Sequence, residues 1–104
     1  MSVVIVDGKE IDIDDLNVTG STALNGSEQV DRIEISDSTF TGKFTSTLGG
    51  GNDVLDLDTG VGDQSRFLSS VAVDFGAGTD TLDNNPLNTF ASPISGRRGP
   101  EVIV

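Results

Sequence analysis

Two stretches decide the reading: residues 40–55, FTGKFTSTLGGGNDVL, and residues 67–82, FLSSVAVDFGAGTDTL. Laid over each other at an offset of 27, they align without a gap. Phe40 falls on Phe67, Phe44 on Val71, Leu48 on Phe75, Gly49 on Gly76, Gly51 on Gly78, Asp53 on Asp80 and Leu55 on Leu82. A repeat of this length marks stacked units, none of which buries its apolar face alone. Within each copy the pattern has period two. Phe40, Gly42, Phe44, Ser46 and Leu48 share one parity, as do Phe67, Ser69, Val71, Val73 and Phe75. That is the alternation of strands with one buried face. Helices are disfavoured, because Gly, Thr, Ser and Asp dominate and Gly punctuates each segment.

A second echo runs upstream at an offset of 22. Ile11-Asp12-Ile13, Ile33-Glu34-Ile35 and Leu55-Asp56-Leu57 repeat apolar–acid–apolar, and Val18-Thr19-Gly20 anticipates Phe40-Thr41-Gly42. Stacking equivalent strands builds parallel sheets around a shared interior. The pattern therefore predicts an all-β, right-handed parallel β-solenoid of about three coils, with its repeats in residues 15–84. Residues 1–14 read as an N-terminal β-hairpin or cap turning at Asp7-Gly8, or as an incomplete first coil. Residues 85–104 contain Pro86, Pro93 and Pro100. Proline cannot donate to a central ladder, so this segment reads as a C-terminal cap, a linker or a disordered tail.

Composition limits the function. Asp and Glu number 17 against 6 Lys and Arg, a formal net charge of −11. No basic stripe exists to neutralise phosphates, which argues against nucleic acid. The plainer meaning of acidity is solubility; divalent cations would also relieve the self-repulsion. With no Cys and no His, any metal site must be built from oxygen, which favours calcium or magnesium. No apolar stretch approaches the ~20 residues of a membrane span, and the N-terminus does not read as a cleavable signal peptide.

Both loops, Gly49-Gly50-Gly51-Asn52-Asp53-Val54-Leu55 and Gly76-Ala77-Gly78-Thr79-Asp80-Thr81-Leu82, have the form G-x-G-x-D-x-L. Glycines permit positive φ and turn carbonyl oxygens toward one point, while Asp supplies a carboxylate. Calcium takes 6 to 8 oxygens, so one loop is too few and a second must stack beside it. A plainer reading makes these loops solenoid corners, where Gly, Asp and Asn are favoured for turning the chain. Asn52 either binds an ion or ladders along the stack, and one coil upstream a degenerate loop would offer a partial ligand set through Glu28 or Asp31. Asp12, Asp56, Asp58 and Asp83 are expected to face solvent. Neither loop is followed by Lys-Ser or Lys-Thr, so the phosphate-binding reading fails, and no base is placed to activate a Ser or Thr.

At these residues the chain resembles the haemolysin-type calcium-binding (RTX) repeat, G-G-x-G-x-D-x-U-x with U large and apolar. Leu48 and Phe75 stand where that motif opens on glycine, and the period is 27 residues instead of two nine-residue motifs per coil. The resemblance implies a parallel β-roll with ions between neighbouring loops, here along one edge. It gives Asp53 and Asp80 as carboxylate ligands, Gly49, Gly51, Gly76 and Gly78 as carbonyl donors, and Ca2+ as the ion. It further implies a secreted or cell-surface location.

The function expected is a calcium-stabilised structural or adhesive module, not an enzyme, with protein or glycan partners at the cell surface. The alternatives are a metal-independent β-solenoid spacer or interaction surface, and a fragment of a polysaccharide-active enzyme using acids such as Asp56 and Asp58. Open sheet ends also lead to an expectation of end-to-end self-association.

Overall fold

The computed structural model describes residues 2–4, 10–57, 60, 62 and 64–104. Among them every regular element is a strand, and all the strands pair in parallel. One five-stranded sheet, A, orders β1 (Ser2–Val4), β4 (Thr22–Asn25), β7 (Phe44–Thr47), β10 (Val71–Asp74) and β13 (Ser95–Arg97). A second, B, orders β2 (Glu10–Asp14), β5 (Arg32–Ser36), β8 (Val54–Leu57), β11 (Thr81–Asn84) and β14 (Val102–Ile103). The third, C, has four strands: β3 (Asn17–Val18), β6 (Thr39–Phe40), β9 (Arg66–Phe67) and β12 (Thr89–Phe90). The chain visits the sheets in fixed rotation, one strand in each per pass.

The alternation seen in sequence sets which side of each strand is buried. Thr22 and Leu24 of β4, Phe44 and Ser46 of β7, and Val71 and Val73 of β10 turn inward. Ile33 and Ile35 of β5 do the same from the facing sheet. Registers then place like on like. Ile11 pairs with Ile33, Ile33 with Leu55, Leu55 with Leu82, and Leu82 with Ile103. Val18 pairs with Phe40, Phe40 with Phe67, and Phe67 with Phe90. Phe40 and Phe67 stack at 5.2 Å between ring centroids, and Phe67 and Phe90 at 4.9 Å. Phe44 meets the rings of Phe40 and Phe67 edge-on. Each such pair adds ~0.5–1.5 kcal/mol beyond burial. A column one side chain deep is how this apolar-poor chain builds a dry interior.

The 22- and 27-residue offsets belong to one continuous stack. β8 pairs with β5 at an offset of 22, Arg32 opposite Val54, whereas β9 pairs with β6 at 27, Thr39 opposite Arg66. The longer pass therefore places its surplus residues between Leu57 and Arg66, and the register is unbroken on both sides.

Two terminal expectations change. β1 pairs with β4, and β2 with β5, both in parallel and in different sheets. These two strands do not pair with each other, so they do not form a hairpin; the Asp7-Gly8 turn lies outside the described residues. Residues 85–104 are not a tail. They supply β12, β13 and β14, one strand to each sheet. Pro86, Pro93 and Pro100 all fall between strands, where their missing N–H removes no ladder bond.

Phe67 is 1% exposed and touches three other rings. Phe67→Ala should cost ~3–5 kcal/mol of stability in urea denaturation, as buried Phe truncations do. Phe67→Leu, which refills part of the volume, should cost clearly less.

Candidate metal centre at the glycine–aspartate corner

The G-x-G-x-D loops form the corner that leads from sheet A to sheet B. Gly49, Gly51, Gly76 and Gly78 all have positive φ, at 86°, 99°, 82° and 113°, a region that L side chains rarely occupy. Stacking adds a second demand. A Cβ on Gly76 would collide with the carbonyl oxygen of Gly49, and one on Gly78 with that of Gly51. Leu48 and Phe75, which replace the motif's opening glycine, are fully buried. They anchor the corner to the core, which explains the departure.

The carboxylates form a ladder. Asp31 N–H donates to Asp53 Oδ1 at 2.8 Å, Asp53 N–H to Asp80 Oδ1 at 2.8 Å, and Asp80 N–H to Glu101 Oε2 at 2.9 Å. Each pass thus offers one carboxylate oxygen to the buried amide of the pass before. Asn52 joins as a parallel rung, its Oδ1 accepting from Thr79 N–H at 2.8 Å. Asp31 is engaged differently. Its Oδ2 accepts from Ser27 N–H at 2.6 Å, and Ser27 Oγ–H lies 3.0 and 3.2 Å from its two oxygens. Sequence reasoning missed Glu101; the signal was its position 21 residues after Asp80, ahead of Val102-Ile103 as Asp80 precedes Thr81-Leu82.

Asp53 and Asp80 have no solvent exposure, and their Oδ2 atoms have no hydrogen-bond partner. A buried carboxylate oxygen without a partner is costly. The electrostatics reflect that. Burial raises the Asp53 carboxyl to about 6, against the hydrogen bond from Asp31 N–H, with added repulsion from Asp31, Asp80 and Glu28. Burial raises Asp80 too, with Glu101 pushing in the same direction. Two unpartnered charged oxygens on adjacent passes, with no cationic side chain among the causes acting on either group, fit the donor preference of a hard divalent cation. Glu28 is exposed, with its carboxylate against Gly50, and adds repulsion at Asp53. The Gly49 carbonyl already accepts from Ala77 N–H at 3.1 Å but keeps a second lone pair.

The other acids separate. Asp56 is not on a solvated face: it is 7% exposed, and Arg32 Nη2 lies 2.6 Å from its Oδ2. Arg32 also meets Glu34 at 2.7 Å. Asp12 is exposed and Asp83 half-buried, while Asp58 lies outside the described residues. Glu10, Asp12 and Glu34 bring carboxylate oxygens within 4.8 Å of one another on the outer face of sheet B. At the corner between sheets B and C runs a second ladder that sequence reasoning did not find. Leu16 N–H donates to Ser38 Oγ, Ser38 N–H to Ser65 Oγ, and Ser65 N–H to Asn88 Oδ1.

No family model matches the chain, and no curated protein or solved structure matches it. The likeness to the haemolysin-type repeat thus rests on the residues of the two loops. Among the described residues no helix is long and apolar enough to cross a membrane.

Asp53 titrates near 6 in the fold and near ~3.9 when unfolded, so the native state holds its proton more tightly. Its contribution to stability is greatest below about pH 4 and is lost as the pH rises through about 6. In metal-free buffer Asp53→Asn should therefore be more stable than the parent protein at pH 7 and less dependent on pH between about 4 and 6. Asp53→Ala also strands the Asp31 amide and should fall below Asp53→Asn by ~1–3 kcal/mol. Denaturation midpoints across the pH range measure both.

Proposed function

We propose that the chain is a right-handed parallel β-solenoid module, stabilised by calcium at the Asp53–Asp80 corner, that serves a structural or adhesive role in a secreted or cell-surface protein. The observation that carries this reading is the pair of buried, unpartnered oxygens, Asp53 Oδ2 and Asp80 Oδ2. They lie on adjacent passes, which the sequence repeat puts in register, at the positions where the family resemblance implies ligands. By the resemblance, the carbonyls of Gly49, Gly51, Gly76 and Gly78 would be the further donors. Bound there, calcium supplies the positive charge that offsets two desolvated carboxylates. The net charge of −11 favours divalent cations in the same sense. Calcium is abundant outside cells, which is the ground for the location.

A second reading, the metal-independent spacer or interaction surface, is favoured by the Oδ1 ladder. Asp53 and Asp80 already tie three passes together through backbone amides, and such a ladder holds the corner without an ion. The two readings diverge on calcium response.

Extracellular modules bind calcium at ~10⁻⁴ to 10⁻³ M. At 10 mM calcium, linkage then gives a stabilisation of ~1.4–2.7 kcal/mol. Thermal unfolding followed by circular dichroism should show that gain in the parent protein. Asp53→Asn and Asp80→Asn should each remove it, although both variants keep an acceptor for the ladder. An unchanged midpoint with calcium would leave the spacer reading in place.

A further inference from the structure

The outer face of sheet A takes no part in the proposed calcium site. Strand alternation turns Thr45 and Thr47 of β7, Ala72 and Asp74 of β10, and Ser95 and Arg97 of β13 away from the core. Register sets them in two rows. Ala23, Thr45, Ala72 and Ser95 form one, and Asn25, Thr47, Asp74 and Arg97 form the other. The first row has the shorter side chains, and the step between the rows leaves a hollow. An open trough of about 330 Å3 lies there, lined by Thr45, Thr47, Ala72, Asp74, Ser95 and Arg97. Sites for small ligands start at ~300 Å3.

The charge of the trough runs against that of the chain. Sheet B turns Glu10, Asp12 and Asp14 to solvent, whereas Asp74 is the one acid lining the trough, and it is already answered. Arg98 donates to it twice, from Nε to Oδ1 at 2.8 Å and from Nη2 to Oδ2 at 2.7 Å, and Gly76 N–H donates to Oδ1 at 3.1 Å. The Arg98 guanidinium holds the Asp74 carboxyl below the usual carboxylate range. Arg97 is exposed, and among the described residues its guanidinium has no ion-pair partner. A chain of net charge −11 thus keeps one uncommitted guanidinium at a hollow.

That combination selects the occupant. A guanidinium fork takes a carboxylate through two parallel hydrogen bonds. The field of an acidic chain repels polyanions, so the match is to a single carboxylate and not to a string of them. Around it stand hydroxyls. Those of Thr47 and Ser95 can donate and accept, while Thr45 Oγ1–H donates to Thr22 O at 3.2 Å and remains an acceptor. Ala72 is the one apolar side chain turned outward here, so an apolar acid finds no wall. β7 and β10 are paired on both sides and have no free edge for a peptide backbone. A carboxylate flanked by hydroxyl groups is the pattern of a sugar acid.

We propose that the outer face of sheet A binds a carboxylate-bearing sugar at the end of an otherwise neutral glycan, with Arg97 holding the carboxylate and Thr47 and Ser95 the sugar hydroxyls. This gives the adhesive role a partner class, and it stands whether or not the corner holds calcium.

Amide chemical shifts of isotope-labelled protein, titrated with methyl glucuronide, test it. The amides of Thr47, Ala72, Ser95 and Arg97 should shift and saturate with a Kd of ~1–10 mM, the weak end of the affinity scale. Methyl glucoside lacks the carboxylate and acetate lacks the ring, and each should bind about tenfold more weakly or worse. Arg97→Gln should abolish saturation, and Arg97→Lys, which keeps the charge but not the fork, should weaken it about fivefold. Thr47→Val with Ser95→Ala should weaken the glucuronide and leave acetate unchanged. The comparison of the three ligands needs no variant, so a misfolded variant does not remove the test. Titration with and without calcium should give the same result. Unmoved amides, glucoside or acetate binding that equals the glucuronide, or binding present only with calcium would each overturn the proposal. So would shifts at these amides that follow protein concentration, which would put the acids of a second copy in the trough.

Discussion

A backbone amide buried at a corner of the stack must find an acceptor, and a chain that turns there cannot supply one from its own strand. This protein takes the acceptor from the next pass. At one corner it is a carboxylate, with Asp31 donating to Asp53, Asp53 to Asp80, and Asp80 to Glu101. At another it is a hydroxyl or amide oxygen, from Ser38, Ser65 and Asn88. Both ladders fix register, since slipping by one residue would strand the amide and turn every inward side chain outward. Matched columns of Phe and of Ile and Leu inside, and the unbroken pairing on both sides of the longer pass, depend on that registration.

The carboxylate ladder carries a consequence that the hydroxyl ladder does not. A serine oxygen leaves no charge behind, whereas a carboxylate that gives one oxygen to an amide keeps a second. For Asp53 and Asp80 that second oxygen is buried and has no partner, and burial raises both carboxyls. Asp31 avoids the problem by turning to Ser27, and Arg32 relieves Asp56 from outside. The unresolved charge thus concentrates in one place, between the two complete glycine loops. A corner built only to turn the chain would be served as well by Ser or Asn.

Much of this architecture was legible in the sequence. Phe40 over Phe67 and Leu55 over Leu82 could be read directly because the two copies align without a gap, and strand alternation marked the buried faces. The C-terminal strands were hidden for two reasons. The offset shortens from 27 to 23 and then 21 residues, and Ser95, Gly96 and Arg97 carry no apolar alternation. They form a strand because β10 presents an open ladder to them. At the candidate site the sequence named Asp53 and Asp80 but treated each carboxylate as a unit. It could not show that one oxygen is held by a backbone amide and the other is left over. Glu101 was concealed by a change of residue type, and the second ladder by its mixture of Ser and Asn.

The central claim is that the leftover oxygens of Asp53 and Asp80 hold a calcium ion. Anomalous diffraction from crystals grown with calcium tests it most directly. The account predicts an anomalous peak at ~2.3–2.6 Å from both Oδ2 atoms, the usual calcium–oxygen distance. An ordered corner with no such peak, and with both oxygens bonded to water or to a protein donor, would contradict it.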